Sequence, residues 1–378
     1  MAGLMDIGKS GLQSYREALS VTGQNIANIN TDGYKRREAS LAEVTGSSGG
    51  INAISSQAGL GVRVEEVRRS FDEFLLNKAR NATSYAASAD SYVDAIAQLE
   101  DIILPGDANI GSAIGRFMET LQEVAVNPSD IAPRIVAMQS GETLADMFHQ
   151  TAGLIEELQA GVFTQSEQAM TEINLLSNSL ANINRNIASS AGKAQNALLD
   201  NRDAIIDKIS EYAEVTVKLE NTGSATIRLG GSGNGPKLVA GEKAYTLSAV
   251  TNVDDMQFFL AEGADVKRTS QVTNGRLRGL ADAFKSASDA VRSINHLAYQ
   301  FINDINSIHM QGLDLEGQAG INMFHGIAFD AVPSVSNLGN GSGIVDILDT
   351  DQISNDPIRF SYDADQSLWR AYDQYGAN

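Results

Sequence analysis

The chain has 378 residues, no cysteine, four histidines and a formal charge of −19. That length can bury about two or three cores, so several domains are expected. The missing cysteines exclude disulfides and thiolate chemistry and leave the histidines as the only strong neutral metal ligands. The acidic balance argues against nucleic acid or an anionic membrane as partner, since such binding needs an excess of Lys and Arg.

The acid is unevenly placed. Residues 1–80 hold ten Lys and Arg against nine Asp and Glu, and the remainder holds, by difference, eighteen against thirty-eight. A near-neutral front suits packing among copies of itself, while an acidic body stays in solution. The opening MAGLMDIGKSGLQSY has Asp6 in its apolar part and no cationic lead, so no cleavable signal peptide is read there. No apolar run approaches the roughly 20 residues that span a bilayer. Export would need another route.

The first predicted element is a helix with a heptad seam: Met5, Leu12, Tyr15, Leu19, Thr22, Ile26 and Ile29, stepping by three and four from Leu12 onward. So narrow a stripe asks for one or two partner helices, whereas a wide stripe would bury one face on a globular core. An ordinary surface helix is the alternative. Gly33, after Asn30-Thr31-Asp32, tolerates positive φ and is expected to stop the helix, giving an N-terminal heptad segment over 1–34. Lys35-Arg36-Arg37 beside Tyr34 is read as a docking turn against a neighbouring subunit rather than an anion site.

Residues 35–70 read as a Gly/Ser-rich linker with one short strand around Val62, Val64 and Val67. From 71 to 213 the pattern is helical almost throughout, with Ile110, Ile114, Phe117, Leu121 and Val124 on one face and breaks expected at Pro105, Pro128 and Pro133. Met170, Ile173, Leu176, Leu180, Ile183 and Ile187 form a second stripe, continued by Leu198, Leu199, Ile205, Ile206 and Ile209. Alternation then changes to period two. Val215, Val217 and Leu219 face Ile227 and Leu229 across Asn221-Thr222-Gly223, a hairpin opening an inserted β domain over 214–274. A long helix returns over 275–312, with Leu277, Leu280, Phe284, Ala287, Val291, Ile294, Ala298, Phe301, Ile305 and Ile308 in unbroken three-four alternation. Residues 313–378 read as a β-like outer segment. The fold class is mainly α with inserted β, an elongated multi-domain chain with a helical-bundle body.

Chemical motifs are weak. Gly46-Ser47-Ser48-Gly49-Gly50 fits G-x-S-x-G but lacks the strand and helix that make a nucleophile elbow, so Ser48 is read as linker. GGSGNGP at 230–236 lacks the Lys-Ser/Thr of a phosphate loop and reads as an inter-strand loop. His296 and His309, about 220° apart around one helix, cannot share a metal, and His149 and His325 have no ligand-spaced company. DILDTDQISND at 346–356 is acid-rich without the calcium-loop Gly and terminal Glu, so a solvated loop is the plainer reading. A secreted metal-dependent adhesin or enzyme, with a site in residues 313–378, where the acidic loop with Asp349 and Asp351, His325 and Trp369 fall, is carried as the rival. No enzyme activity, cofactor or metal is expected from the leading reading.

SGLQSYREALSVTGQNIANINTDGYKRRE, residues 10–38, closely resembles the N-terminal motif of the bacterial flagellar axial proteins of rod, hook and hook-filament junction. In that family the motif closes a helix of the innermost tube layer; here it falls on Asn25, Ile26, Ala27, Asn28, Asn30, Thr31, Gly33, Tyr34, Lys35 and Arg36. NALLDNRDAIIDKISEYAEVTV at 196–217 and HMQGLDLEGQAGINMF at 309–324 resemble passages of the hook-associated junction members. So does the helical stretch after the motif, since rod and hook subunits are β-rich there. The resemblance implies a flagellin-like architecture and a structural junction adaptor between hook and filament, with other rod or hook members as the nearer alternative. It implies Leu12, Tyr15, Leu19, Asn25, Ile26, Asn28, Ile29, Asn30, Thr31, Gly33, Tyr34, Lys35 and Arg36 as an assembly interface. Its implied partners are copies of the chain, the hook protein, the next hook-associated protein and an export chaperone, at an extracellular site reached unfolded through the flagellar secretion apparatus. Family members end in a second heptad helix that pairs with the first. None is found before Asn378, so a truncated or incomplete subunit is expected.

Overall fold

The computed structural model describes residues 4–31, 33–44, 61–190, 195–252, 254–263, 265–326, 329–330, 344–345, 358–363, 366 and 368–372. The elements run α1 (Leu4–Ala27), β1 (Arg37–Glu43), β2 (Val62–Arg69), α2 (Glu73–Ile103), α3 (Ile110–Val126), α4 (Ile131–Ser189), α5 (Gln195–Tyr212), β3 (Val215–Leu219), β4 (Ala225–Leu229), β5 (Lys237–Ala240), β6 (Lys243–Ala244), β7 (Thr246–Thr251), β8 (Met256–Glu262), β9 (Asp265–Thr269) and α6 (Arg276–Gln311). Four short strands follow: β10 (Phe329–Asp330), β11 (Ile344–Val345), β12 (Arg359–Asp363) and β13 (Leu368–Tyr372). The chain is mainly helical, with small antiparallel sheets, as the periodicities predict.

It divides into two units, Met1–Val93 with Thr164–Asn252 and Met256–Asp282, and Asp94–Phe163 with Val253–Asp255 and Ala283–Asn378. In the first unit, β3-β4-β5-β6 and β7-β8-β9 form two sheets. The turn through Gly223, at φ +87, sets Val215 opposite Leu229 and Val217 opposite Ile227, and all four are buried. Two asparagines of α4 join the sheets to the helix. The Asn184 amide donates to the carbonyls of Ala225 and Gly241, each at 2.8 Å, and accepts from Ala225 N at 2.8 Å. Asn174 does the same with both backbone groups of Leu247 at 2.9 Å. A side-chain amide can satisfy a strand's donor and acceptor together, and here it pairs both backbone groups of Ala225 and of Leu247.

The second unit has its own core. Leu99, Phe117, Leu144, Phe148 and Ile155 pack with Ala287, Ile294 and Ile305 of α6. Phe117, Phe301 and Phe324 form a triangle with ring centroids 5.8 to 6.1 Å apart, a spacing at which tilted rings attract. The Asn306 amide fixes the chain after α6, accepting from Met323 N and Phe324 N and donating to Phe324 O, each at 2.9 Å.

Three readings are corrected. The 35–70 interval contains two strands, since Arg37–Glu43 pairs antiparallel with Val62–Arg69; REASLAE has little apolar alternation, and its extended state comes from its partner. Pro133 breaks nothing. It lies in the first turn of α4, where a missing N–H has no intrahelical acceptor to lose. Finally, α1 stops at Ala27, six residues before Gly33. Past it the backbone bonds shorten to three-residue turns, Ile29 N to Ile26 O at 3.4 Å and Thr31 N to Asn28 O at 3.0 Å, and the Asn28 amide adds a side-chain bond to Gln24 O at 2.9 Å beside the backbone one. Ser48, Asp349, Asp351 and the 346–356 loop lie outside the described residues.

Candidate assembly interface

The side of α1 next to its seam, about 100° around the helix, carries mostly small and polar residues with Val21, and that side meets β1 and β2. Ser14 is buried and its hydroxyl donates to Val62 O at 3.0 Å; the Ser10 hydroxyl accepts from Val62 N at 3.2 Å. The approach is close because Gly61 has no side chain: a Cβ there would lie 2.2 Å from Ser10 Oγ. At the far end, Asn25 acts as a clasp. It donates to Arg37 O at 2.8 Å and accepts from Arg37 N and from the Tyr34 hydroxyl, both at 2.9 Å. Three polar bonds from one residue fold the 28–37 turn back along the helix.

This front assembly is fixed to α5 by ions. Arg37 reaches Asp200 at 3.1 Å, while Arg69 reaches Asp200 and Asp203 at 2.8 Å each. Arg202 is fully buried, pairs with Asp203 at 2.6 Å and donates to Gly223 O. Burial pushes its guanidinium below the ordinary value, and Asp203 opposes that shift. The Asn196 amide donates to Val67 O at 2.9 Å, and Arg80 meets Asp207 at 2.6 Å. Gly33, at φ +78, brings the turn against α5, where a Cβ would meet the Ala204 Cβ at 3.4 Å. The NIANINTDGYKRRE and LLDNRD stretches, 160 or more residues apart in sequence, are thus one structural joint.

The apolar seam is left outside. Leu12 is 76 % exposed, Tyr15 63 %, Leu19 72 %, Ile26 68 % and Ile29 78 %, with Met5 and Thr22 exposed as well. Beside its C-terminal half lies an open concavity of about 580 Å³, bounded by Val21, Thr22, Ile26, Ile29, Tyr34 and Arg36 among others. Of the other sequence-derived positions, Asn30 and Thr31 are exposed in the turn, Asn28 and Lys35 are half-buried, and Arg36 is exposed with Glu38 at 4.0 Å. Two kinds of residue therefore share the motif: those that present the seam and those, Asn25 and Tyr34, whose side chains bond within the chain. Periodicity did not single out Arg37, Arg69, Asp200 and Asp203. Their signal was charge in otherwise apolar or strand-like surroundings, which gives no partner by itself.

Among the described residues, no group of three or more His, Asp or Glu is placed to hold a metal, and no helix is long and apolar enough to cross a membrane. Residues 96–324 match the family model described as "Flagellar hook-associated protein FlgK helical domain". The chain belongs to the FlgK family. Residues 5–35 also match the model "Flagella basal body rod protein". The Flagellar hook-associated protein 1 of Salmonella typhimurium is 26 % identical over 335 residues, covering 86 % of this chain and 59 % of that protein. That of Escherichia coli K12 is 24 % identical over 378 residues, covering 97 % and 68 %. The chain thus spans about three fifths of the length of the Salmonella protein. The structure titled "The structure of the flagellar hook junction protein FlgK from Burkholderia pseudomallei" superposes with a TM-score of 0.67 at 27 % identity, over 80 % of this chain and 56 % of that one. The flagellar hook protein FlgE of Helicobacter mustelae, 32 % identical, covers only 22 % of this chain, so hook proteins share a short part and the FlgK family most of its length. FlgK proteins are structural components of the flagellum rather than enzymes, which agrees with the absence of a convincing catalytic motif in the sequence.

Proposed function

We propose that the chain serves as a structural subunit of the extracellular flagellum, at the junction of hook and filament, and that it assembles through its α1 seam with neighbouring chains. One observation carries the reading: the polar side of α1 is bonded into its own chain, while every seam residue faces outward. A helix fixed in this way presents its apolar stripe in a set direction, which spares part of the ordering entropy when partners enclose it. Repetition of one such contact, head to tail, generates a ring or a helical tube. The partners in this reading are copies of the chain, the hook protein and the next hook-associated protein, with an export chaperone beforehand. Asn25, Asn28, Asn30, Thr31, Gly33, Tyr34, Lys35 and Arg36 then shape the end of the seam, and Leu12, Tyr15, Leu19, Ile26 and Ile29 make the contact.

The test is the double substitution Leu19→Asp with Ile26→Asp, expressed in a motile bacterium in place of the resident FlgK-family protein. Filaments should fail to attach, and purified variant should melt at the wild-type temperature. Wild-type motility with the variant present at the junction would refute the seam's role.

A further inference from the structure

In the β12–β13 hairpin of the second unit, alternation separates two faces of different chemistry. Arg359, Ser361, Asp363, Leu368, Arg370 and Tyr372 share one, where Arg370 pairs with Asp363 at 3.2 Å and the Arg359 guanidinium lies 5.8 Å from the centre of the Tyr372 ring. This face is satisfied by its own pairs. Phe360, Tyr362, Trp369 and Ala371 share the other, which carries three aromatic rings. Tyr362 and Trp369 stand with ring centroids 5.3 Å apart, yet both are more than half exposed, and Phe360 is exposed as well. A lone two-stranded hairpin is marginal in water, and a sheet with one apolar face becomes stable when another element covers that face.

The same unit holds an apolar surface of its own. Gln159 of α4 donates to the Ser288 hydroxyl of α6 at 2.7 Å, while Gly141, earlier in α4, lies against Phe117 and Phe324, the rings that meet Phe301 further along α6. The two helices are therefore antiparallel. The start of α4, the end of α3 that leads into it and the end of α6 thus gather at one end, where a loop is held to α6 by Gly320 N donating to Gly312 O at 3.0 Å and His309 Nδ1 donating to Ile321 O at 2.5 Å. On that end Ile131, Ile135 and Met138, spaced as one helix face, and Ile308, Leu313 and Ile321 are each more than half exposed. So much apolar surface gathered in one place marks a contact. We infer that the aromatic face of the β12–β13 hairpin docks on this end of its own chain. The reach suffices: β11 pairs with β10, which starts three residues after Gly326, and residues 346–357 can extend over about 40 Å. A tethered segment acts at an effective concentration of roughly millimolar, which favours it over a separate chain. The self-paired face of the hairpin stays in water.

Trp369 is the single tryptophan of the chain, so its fluorescence reports the docking directly. In the full chain its emission should lie to the blue of N-acetyltryptophanamide, and acrylamide should quench it poorly. Ile135→Asp with Met138→Asp should shift the emission to the red and raise the quenching, with the helical circular dichroism unchanged because both side chains lie on the surface of α4. Ile321→Asp, on the loop, should give the same shift and decides the matter where the α4 variant loses helical signal. Leu104→Asp, an exposed site just past the end of α2, should give none. Identical emission and quenching in the wild type and in the end variants overturn the docking, as does a shift produced by Leu104→Asp alone. Shielding of Trp369 that grows with protein concentration assigns the hairpin to a second copy and overturns the contact within the chain.

Discussion

Helices α1 and α6 carry the same sequence signal and have opposite fates. Both step by three and four along an apolar seam. In α6, Leu277, Leu280, Phe284, Ala287, Ile294 and Ile305 are buried, Val291, Ala298 and Phe301 are partly covered, and only Ile308 is exposed. Along α1 all six seam residues are exposed, as is Ile29 in the turn after it. A heptad stripe therefore reports that a helix has an apolar face and is silent on which chain covers it. What separates the two helices is the side away from the seam. On α6 it carries ion pairs within the helix, Arg278 with Asp282 and Arg292 with Asp289, and Asn306 near the helix end bonds to the chain that follows, whereas on α1 Ser14 and Asn25 bond along the helix to the backbone of Val62 and Arg37. A helix that uses its polar side to dock has turned its apolar side toward something else.

The harshest way to break this contrast is to cut the ionic joint that fixes α1 and its strands to α5. Asp203→Ala leaves Arg69 and Arg202 buried with reduced compensation, and removal of one partner from such a group costs about 3–5 kcal/mol. Denaturant unfolding should show that loss, and salt should not restore it because the groups are buried. The comparison itself is measured by matched truncations. Leu280→Ala, at a 1 % exposed site, should cost about 2–5 kcal/mol. Leu19→Ala, on the α1 seam, should change stability by about 0.5 kcal/mol or less and appear instead as weaker assembly. A large stability loss at Leu19 would mean that the chain itself covers the seam in solution.

Smaller effects refine the account of the clasp. Asn25→Ala orphans the Arg37 N–H and the Tyr34 hydroxyl, at a cost of about 1–3 kcal/mol. Hydrogen exchange at Arg37 should accelerate while exchange in the Phe117 core is unchanged. Gly33→Ala places a side chain at φ +78 and should cost about 1–2 kcal/mol, the same mutation being harmless to α1, which ends at Ala27.

Much of this was legible in the sequence for a simple reason. Long helices and alternating strands are set by periodic burial, and the 215–229 hairpin and the long helix from Arg276 to Gln311 fall where the 2.0 and 3.6 periods place them. The exposed seam was legible as well, because it is the same periodicity without a cover. What escaped was the joint. Arg37 reads in sequence as part of a turn that docks on a neighbouring subunit, and Arg69 as a strand edge, until Asp200 of the same chain, more than 130 residues away, is brought beside them. Ion pairs have no period, and a strand such as Arg37–Glu43 that forms because a neighbour pairs with it leaves little local trace. The early end of α1 belongs to the same class: after the Asn28 N bond to Gln24 O the backbone passes into three-residue turns, and the glycine that seemed to be the terminator shapes the turn beyond them.

The mildest substitution sharpens the comparison most, because its two effects have opposite signs. Gly8 lies in the seam between Met5 and Leu12, and a Cβ there would meet nothing within 4 Å. In an exposed helix interior, glycine is less favourable than alanine by about 1 kcal/mol, so Gly8→Ala should stabilise α1 in the isolated chain by up to that amount. A seam that only had to be helical would hold alanine. If a neighbouring chain packs closely at this notch, the added methyl must be accommodated in the interface, and assembly should weaken while thermal stability rises. A gain in both would place the notch outside the contact and shift the interface toward Leu12, Leu19 and Ile26.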